Sequence, residues 1–374
     1  MKTTTRNYGI DLLRIVSMLA VVTMHVLGHG GAISESSTPI NTMIVNFLES
    51  LCSAAVNCFV LISGFVCFRN ENYYPKLRNL INLLIVVSFY SLIIASIMKI
   101  IYPDQIGFSA LLYSFLPVSN DKYWFFTAYF AMFILSPMIN LFVHKANQKM
   151  IILSVIVVFF FGIYEVFSDP FLFNRGFNFV WLVFLYTIGA IIKKQNLFEK
   201  ISNRMCLICI AISVIITWLP KFLTTTIWVP VFNFTIYNKM FDSYCSPTTL
   251  LMAIATICLF AKIKISANSF VTRVIALLSN SAFSVYLIHD SNEIRNFFIR
   301  GKFRFLTNAN PFVMLIEIIS IVIGIYLVCT LIDQARIYLF KLLKIEKISK
   351  KIELFVKFLF GKISNRLPFF DSKQ

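Results

Sequence analysis

Long apolar stretches, each about the length of a membrane-crossing helix, alternate with short polar connections along nearly the whole chain. A helix rising about 1.5 Å per residue needs roughly 20 apolar residues to cross a hydrocarbon layer about 30 Å thick. Scanned for that length, the pattern predicts ten spans, at residues 8–27, 44–67, 79–100, 123–143, 150–167, 176–192, 204–220, 246–261, 271–289 and 311–335. The expected fold class is all-α, a polytopic transmembrane helical bundle. Residues 1–335 form its membrane domain, and residues 336–374 form a basic amphipathic tail.

The first span departs from the pattern. It carries Asp11, Arg14 and His25, although a charge at membrane depth costs at least about 2.5 to 3.5 kcal/mol on insertion scales. At about 100° per residue these positions share one helical stripe, with Arg14 and His25 roughly 16 Å apart along the axis. Such a stripe suits a path lined by protein, with lipid kept to the opposite face.

Composition narrows the class. Of 374 residues, 58% are hydrophobic and only 14% charged, unlike any soluble globular domain. Lys2 and Arg6 ahead of an apolar run ending in Gly30, Gly31 and Ala32 also resemble a secretory signal. Asp11 and Arg14, however, interrupt the apolar region such a peptide requires. The net charge of +17 is accounted for by basic residues at inner helix ends and in the tail, which places both termini in the cytoplasm and calls for no nucleic-acid partner. The eight cysteines are scattered through apolar segments. The close pair Cys206 and Cys209 lacks His or carboxylate neighbours, so all eight read as core residues and no metal is expected. No internal repeat is evident, which weighs against a transporter built from two related halves.

Candidate chemistry is concentrated in a few positions. His25 suits a general base near neutral pH, or a buried hydrogen-bonded ring. The ninth span runs outward and ends Tyr286-Leu287-Ile288-His289-Asp290, so His289 emerges near the level of His25. There Asp290 either orients an imidazole on another helix or caps the interface. Asp11 and Arg14, three residues apart, can form an ion pair that lowers the insertion cost, while the Arg14 fork also suits a phosphate. Arg69, Lys76 and Arg78 cluster at an inner connection, as topology demands and as donor phosphates would also favour. Tyr123 and Trp124 read as aromatic-belt anchors or as platforms for a sugar ring. In the tail, Lys341, Lys344, Lys347, Lys350 and Lys351 alternate with apolar residues, which suits a helix lying on anionic lipid.

Four segments occur in a set order and spacing between about residue 6 and residue 335. They are Tyr8-Gly9-Ile10-Asp11-Leu12-Leu13-Arg14 with His25, Leu61-Ile62-Ser63-Gly64-Phe65, Tyr123-Trp124-Phe125, and Val285-Tyr286-Leu287-Ile288-His289. Together they resemble the acyltransferase-3 family, ten-span membrane enzymes that O-acylate bacterial surface polysaccharides. The resemblance implies site roles for Arg14 and His25, with Asp11 beside them. It implies acetyl-CoA as cytosolic donor and a glycan or lipid-linked glycan hydroxyl as acceptor, in a multi-pass protein of the bacterial cytoplasmic membrane. Where many members carry an arginine pair after the second span, this chain has Lys76 and Arg78. On these terms Arg14, Lys76 and Arg78 hold the CoA phosphates, and Tyr123, Trp124, His289 and Asp290 face the acceptor. His25 takes the hydroxyl proton as the oxygen attacks the acetyl carbonyl, or is itself transiently acetylated. The residues alone leave two other readings open: a secondary transporter or flippase with an ion-lined first helix, and a non-catalytic assembly partner. Acyl size and oligomeric state are not written in the sequence.

Overall fold

The computed structural model describes residues 6–33, 38–68, 77–224, 241, 243–266 and 269–364; Arg69 and Lys76 lie outside the described residues. Every regular element among the described residues is helical: α1 (Tyr8–Leu27), α2 (Pro39–Cys52), α3 (Ala55–Cys67), α4 (Leu77–Ile101), α5 (Phe108–Phe115), α6 (Trp124–Lys145), α7 (Gln148–Phe167), α8 (Phe179–Lys194), α9 (Leu197–Lys200), α10 (Asn203–Leu223), α11 (Pro247–Ala261), α12 (Phe270–His289), α13 (Pro311–Leu342) and α14 (Ile345–Ser364). Asn7, Asn147, Asn178, Ser202 and Ser269 start their helices by accepting a first-turn backbone N–H, worth about 1 kcal/mol each.

Among the described residues, eight helical runs are long and apolar enough to cross a membrane, which makes this a multi-pass membrane protein. Two of the ten expected spans are shorter. They are α8, with 16 residues, and α11, with 15. Both are packed into the bundle interior, where Trp181, Leu182, Leu185, Leu250 and Ala253 are fully buried. A helix enclosed by other helices need not match the lipid thickness on its own.

Two expected boundaries move. The span expected at 44–67 is two helices, α2 and α3, separated at Ser53 and Ala54. Ser50 Oγ donates to Asn46 O and Ser53 Oγ to Ser50 O, each at 2.9 Å, and hydroxyls that bond back onto the preceding turn bend a helix. The last span does not stop at 335. α13 runs on to Leu342, so Arg336 is helical within the bundle rather than the first residue of a tail. An apolar scan ends at the first basic residue, but the helix ends where the backbone turns, at Lys344 with φ of 52°.

Two glycines in the sequence motifs are explained by packing. A Cβ on Gly64 would lie 2.0 Å from Tyr186 O of α8, and one on Gly9 would lie 2.1 Å from Phe260 O of α11. Gly189 returns the α3–α8 contact, its Cβ position falling 2.2 Å from Leu61 O. Small residues let membrane helices approach backbone to backbone. Gly64→Ala is therefore expected to destabilise the bundle by about 1–3 kcal/mol or more, read as a lowered thermal midpoint in detergent. Gly324→Ala, with no atom within 4 Å of the new Cβ, leaves the midpoint in place.

Candidate active site

α1 and α12 run side by side and parallel, since Asp11 near the start of α1 meets Ser279 and His25 near its end meets His289. The negative ends of both helix dipoles therefore point at the histidine pair. His25 Nδ1 lies 3.0 Å from His289 Nε2, and His289 Nδ1 lies 2.6 Å from Val285 O. A carbonyl oxygen only accepts, so His289 carries its proton on Nδ1 and, in the neutral ring, accepts at Nε2. His25 then donates from Nδ1, which leaves Nε2 as its free lone pair. Asp290 Oδ1 stands 3.6 Å from His25 Nδ1 and accepts from Arg295 Nη1 at 3.1 Å.

His25, Asp290 and Arg295 border a cavity of about 370 Å³, with His29, Trp124 and Tyr286 also in its wall. His289, buried against His25, does not line it and so does not face an acceptor there. Trp124 belongs to an aromatic side of the cavity, stacked on Tyr244 with ring centroids 6.1 Å apart. Tyr123 is elsewhere. It is buried, its hydroxyl donates to Leu287 O at 3.0 Å, and it supports the end of α12 without lining the cavity. The Tyr286 hydroxyl and Arg295 Nε are buried with no hydrogen-bond partner among the described residues.

His29, Tyr286 and Arg295 carry no role in the sequence reading. For His29 a signal existed, because its four-residue spacing from His25 places both on one face of a continuing turn, and the rings are 5.0 Å apart. Desolvation by the surrounding protein lowers the His29 pKa below the usual value; Asp290 pulls it up, and Arg295 and Arg300 push it further down. One donor atom each from His25, His29 and Asp290 lies within 4.8 Å of the others, a spacing that can hold a cation. Asp290 is already paired with Arg295, whose positive charge opposes a second cation there.

Toward the other end of α1 lies a polar cavity of about 390 Å³ bordered by Arg14, Asn79, Asn82, Asn280, Ser284 and Arg336, among others. Asp11, 2% exposed, lines neither cavity. It accepts from Arg14 Nη1 at 2.6 Å, from Ser279 Oγ at 3.2 Å and from Arg6 Nε, which fixes the Arg14 fork. Arg336 is held from beneath by Asp333, bonded through Nε at 3.0 Å and Nη2 at 2.5 Å; the same carboxylate oxygen accepts from the Tyr90 hydroxyl at 2.8 Å. Arg78 does not line the cavity: its guanidinium is paired with Glu346 of α14. Among the described residues, the two guanidinium groups on this cavity are thus Arg14 and Arg336. Between the two cavities stands Phe283 of α12, whose side chain borders both.

A family model described as an acyltransferase domain matches residues 7–333. Comparison with curated proteins and with solved structures returns no match.

Proposed function

The chain belongs to the acyltransferase-3 family and is a membrane acyltransferase, and on that premise we propose that it is an O-acetyltransferase. It moves an acetyl group from cytosolic acetyl-CoA to a hydroxyl of a surface polysaccharide or its lipid-linked precursor, across the bacterial cytoplasmic membrane. The observation that carries this reading is the chain of hydrogen bonds from Val285 O through His289 to His25. It presets the tautomer that a general base needs, on a cavity one side chain away from a second cavity bearing two arginines.

In this reading Arg14 and Arg336 bind the CoA phosphates, as planar forks suited to bidentate contact. The extended arm then reaches past Phe283, over the roughly 16 Å of α1 between Arg14 and His25. The acceptor hydroxyl gives its proton to His25 Nε2 as its oxygen bonds to the acetyl carbonyl carbon. The C–S bond breaks, and the departing thiolate takes the proton from His25, so the ester and CoA-SH are the only products. The imidazolium formed on the way faces Asp290 and the carboxyl ends of α1 and α12, all of which favour positive charge. The unpartnered Tyr286 hydroxyl and Arg295 Nε are suited to receive the carbonyl oxygen as it becomes an anion.

The test is transfer of radiolabel. Purified protein in nanodiscs is given acetyl-CoA labelled in the acetyl group together with glycan from the producing cells. Label appearing in the glycan as an alkali-labile ester, with CoA released, is the expected result. Glycan movement across vesicles with no loss of acetyl would overturn the reading in favour of a transporter.

A further inference from the structure

A second polar cavity opens at the same end of the bundle as the histidine pair. It measures about 290 Å³ and lies between α5, the segments flanking it, and the short helical stretch 292–299. Its wall is rich in carboxamides, those of Gln105, Asn120, Asn292 and Asn296, with Tyr113 and Phe297 as aromatic faces. Phe297 is set flat on Tyr102, with centroids 4.3 Å apart and planes 23° apart.

Below the carboxamides, Lys122 Nζ bonds Glu293 Oε1 at 2.9 Å and Ser114 Oγ at 2.6 Å, and the two charged side chains are only 5% and 7% exposed. Each charge cancels the other. An anionic ligand finds the cation already engaged. Asn120 Nδ2 already donates to Tyr113 O and Leu116 O, and Asn292 Oδ1 accepts from Arg295 Nη2. What remains on offer is the whole carboxamides of Gln105 and Asn296, the Asn120 oxygen, the Asn292 amide N–H groups, aromatic faces, and one buried carboxylate oxygen, Glu293 Oε2, without a partner among the described residues. A carboxamide donates and accepts in one plane, which matches pairs of neighbouring hydroxyls, and an aromatic face suits the C–H side of a sugar ring.

The position of the cavity adds a length requirement. Arg295 lines the histidine cavity, while Asn292, Glu293 and Asn296 line this one, so one helical segment divides the two. A helix with its side chains is about 10–12 Å across. A single sugar engaged at the histidines does not reach the second cavity, whereas an acceptor of several linked sugars spans both.

We propose that this cavity is a second glycan subsite, which holds sugar residues beyond the acetylated one and makes the enzyme prefer an oligomeric acceptor to a monosaccharide. The proposal rests on the acceptor class named above, so the test reads binding rather than transfer. Full-length protein in nanodiscs is titrated with size-fractionated fragments of the producing cells' surface glycan and with its component monosaccharides. Wild type is expected to bind fragments of several residues at least about tenfold more tightly than monosaccharides, a difference of about 1.4 kcal/mol. Gln105→Ala with Asn296→Ala, and separately Tyr113→Ala, lose that preference with the thermal midpoint retained, since all three side chains are exposed. His25→Asn keeps the preference while losing acetyl transfer, which separates failure of the subsite from failure of the base. Equal binding of short and long ligands by wild type, or a preference that survives in both subsite variants, overturns the proposal.

Discussion

His25→Asn lowers the rate of acyl transfer by roughly 10²- to 10⁴-fold, the range a positioned general base contributes, while CoA binding is unchanged. Asparagine is the informative replacement because its amide N–H can stand where Nδ1–H stands in the wild type and still donate to His289 Nε2. The packing at the ends of α1 and α12 is thereby kept, and the lost group is the acceptor atom Nε2. The measurement is single-turnover transfer of labelled acetyl, with CoA affinity taken from a separate titration. A variant that retained more than about a tenth of the wild-type rate would remove His25 from proton transfer, since even the low end of the stated range would not be met.

The second large effect falls on the donor. Arg336→Lys is expected to weaken CoA binding by roughly 10- to 100-fold, because hydrogen bonds to a charged group are worth about 1.5–3 kcal/mol and each 1.4 kcal/mol is a factor of ten. Lysine keeps a positive charge above Asp333 but cannot present a planar fork. Arg336→Ala is a poorer probe. Asp333 is 0% exposed, and leaving such a charge unpaired costs about 3–5 kcal/mol, so that variant is expected to report on folding before it reports on CoA. Arg78→Ala provides the contrast: its partner Glu346 is exposed, such pairs are worth about 0–1 kcal/mol, and CoA binding should change by no more than about twofold. Titration of CoA into the three nanodisc-embedded proteins decides the matter. Wild-type affinity in Arg336→Lys would assign the phosphates to other residues.

The helical bundle was legible because membrane insertion imposes a length and an apolarity that few other constraints imitate. The polar stripe on α1 was legible too, since Asp11, Arg14 and His25 are expensive where they stand. The meeting of His25 with His289 was legible because the expected ninth span runs the same way as the first, and the two helices are parallel. Arg336 was hidden because an apolar scan ends a span where charge begins, although nothing in the following residues stops the helix. Arg295 and His29 were hidden for a different reason. The loop after α12 is placed by bonds from Gly301 N to His29 O and from Phe303 N to Gly30 O, pairings between segments far apart in sequence. The tautomer of His25 depends on a carbonyl four residues before His289, which only coordinates reveal. The separation of α2 from α3 was written in Ser50 and Ser53, but an apolarity count does not see a hydroxyl that bonds backward.

A membrane protein with a cavity toward each end of a spanning helix risks becoming a leak, because a continuous column of water would let ions run down their gradients. Here the hollows are parted by the ring of Phe283. An apolar constriction of that kind sheds water readily, so a slim flexible chain can push by it while a hydrated proton or sodium ion meets a dry barrier. An acyltransferase divided in this way keeps its two cavities from joining into one column of water.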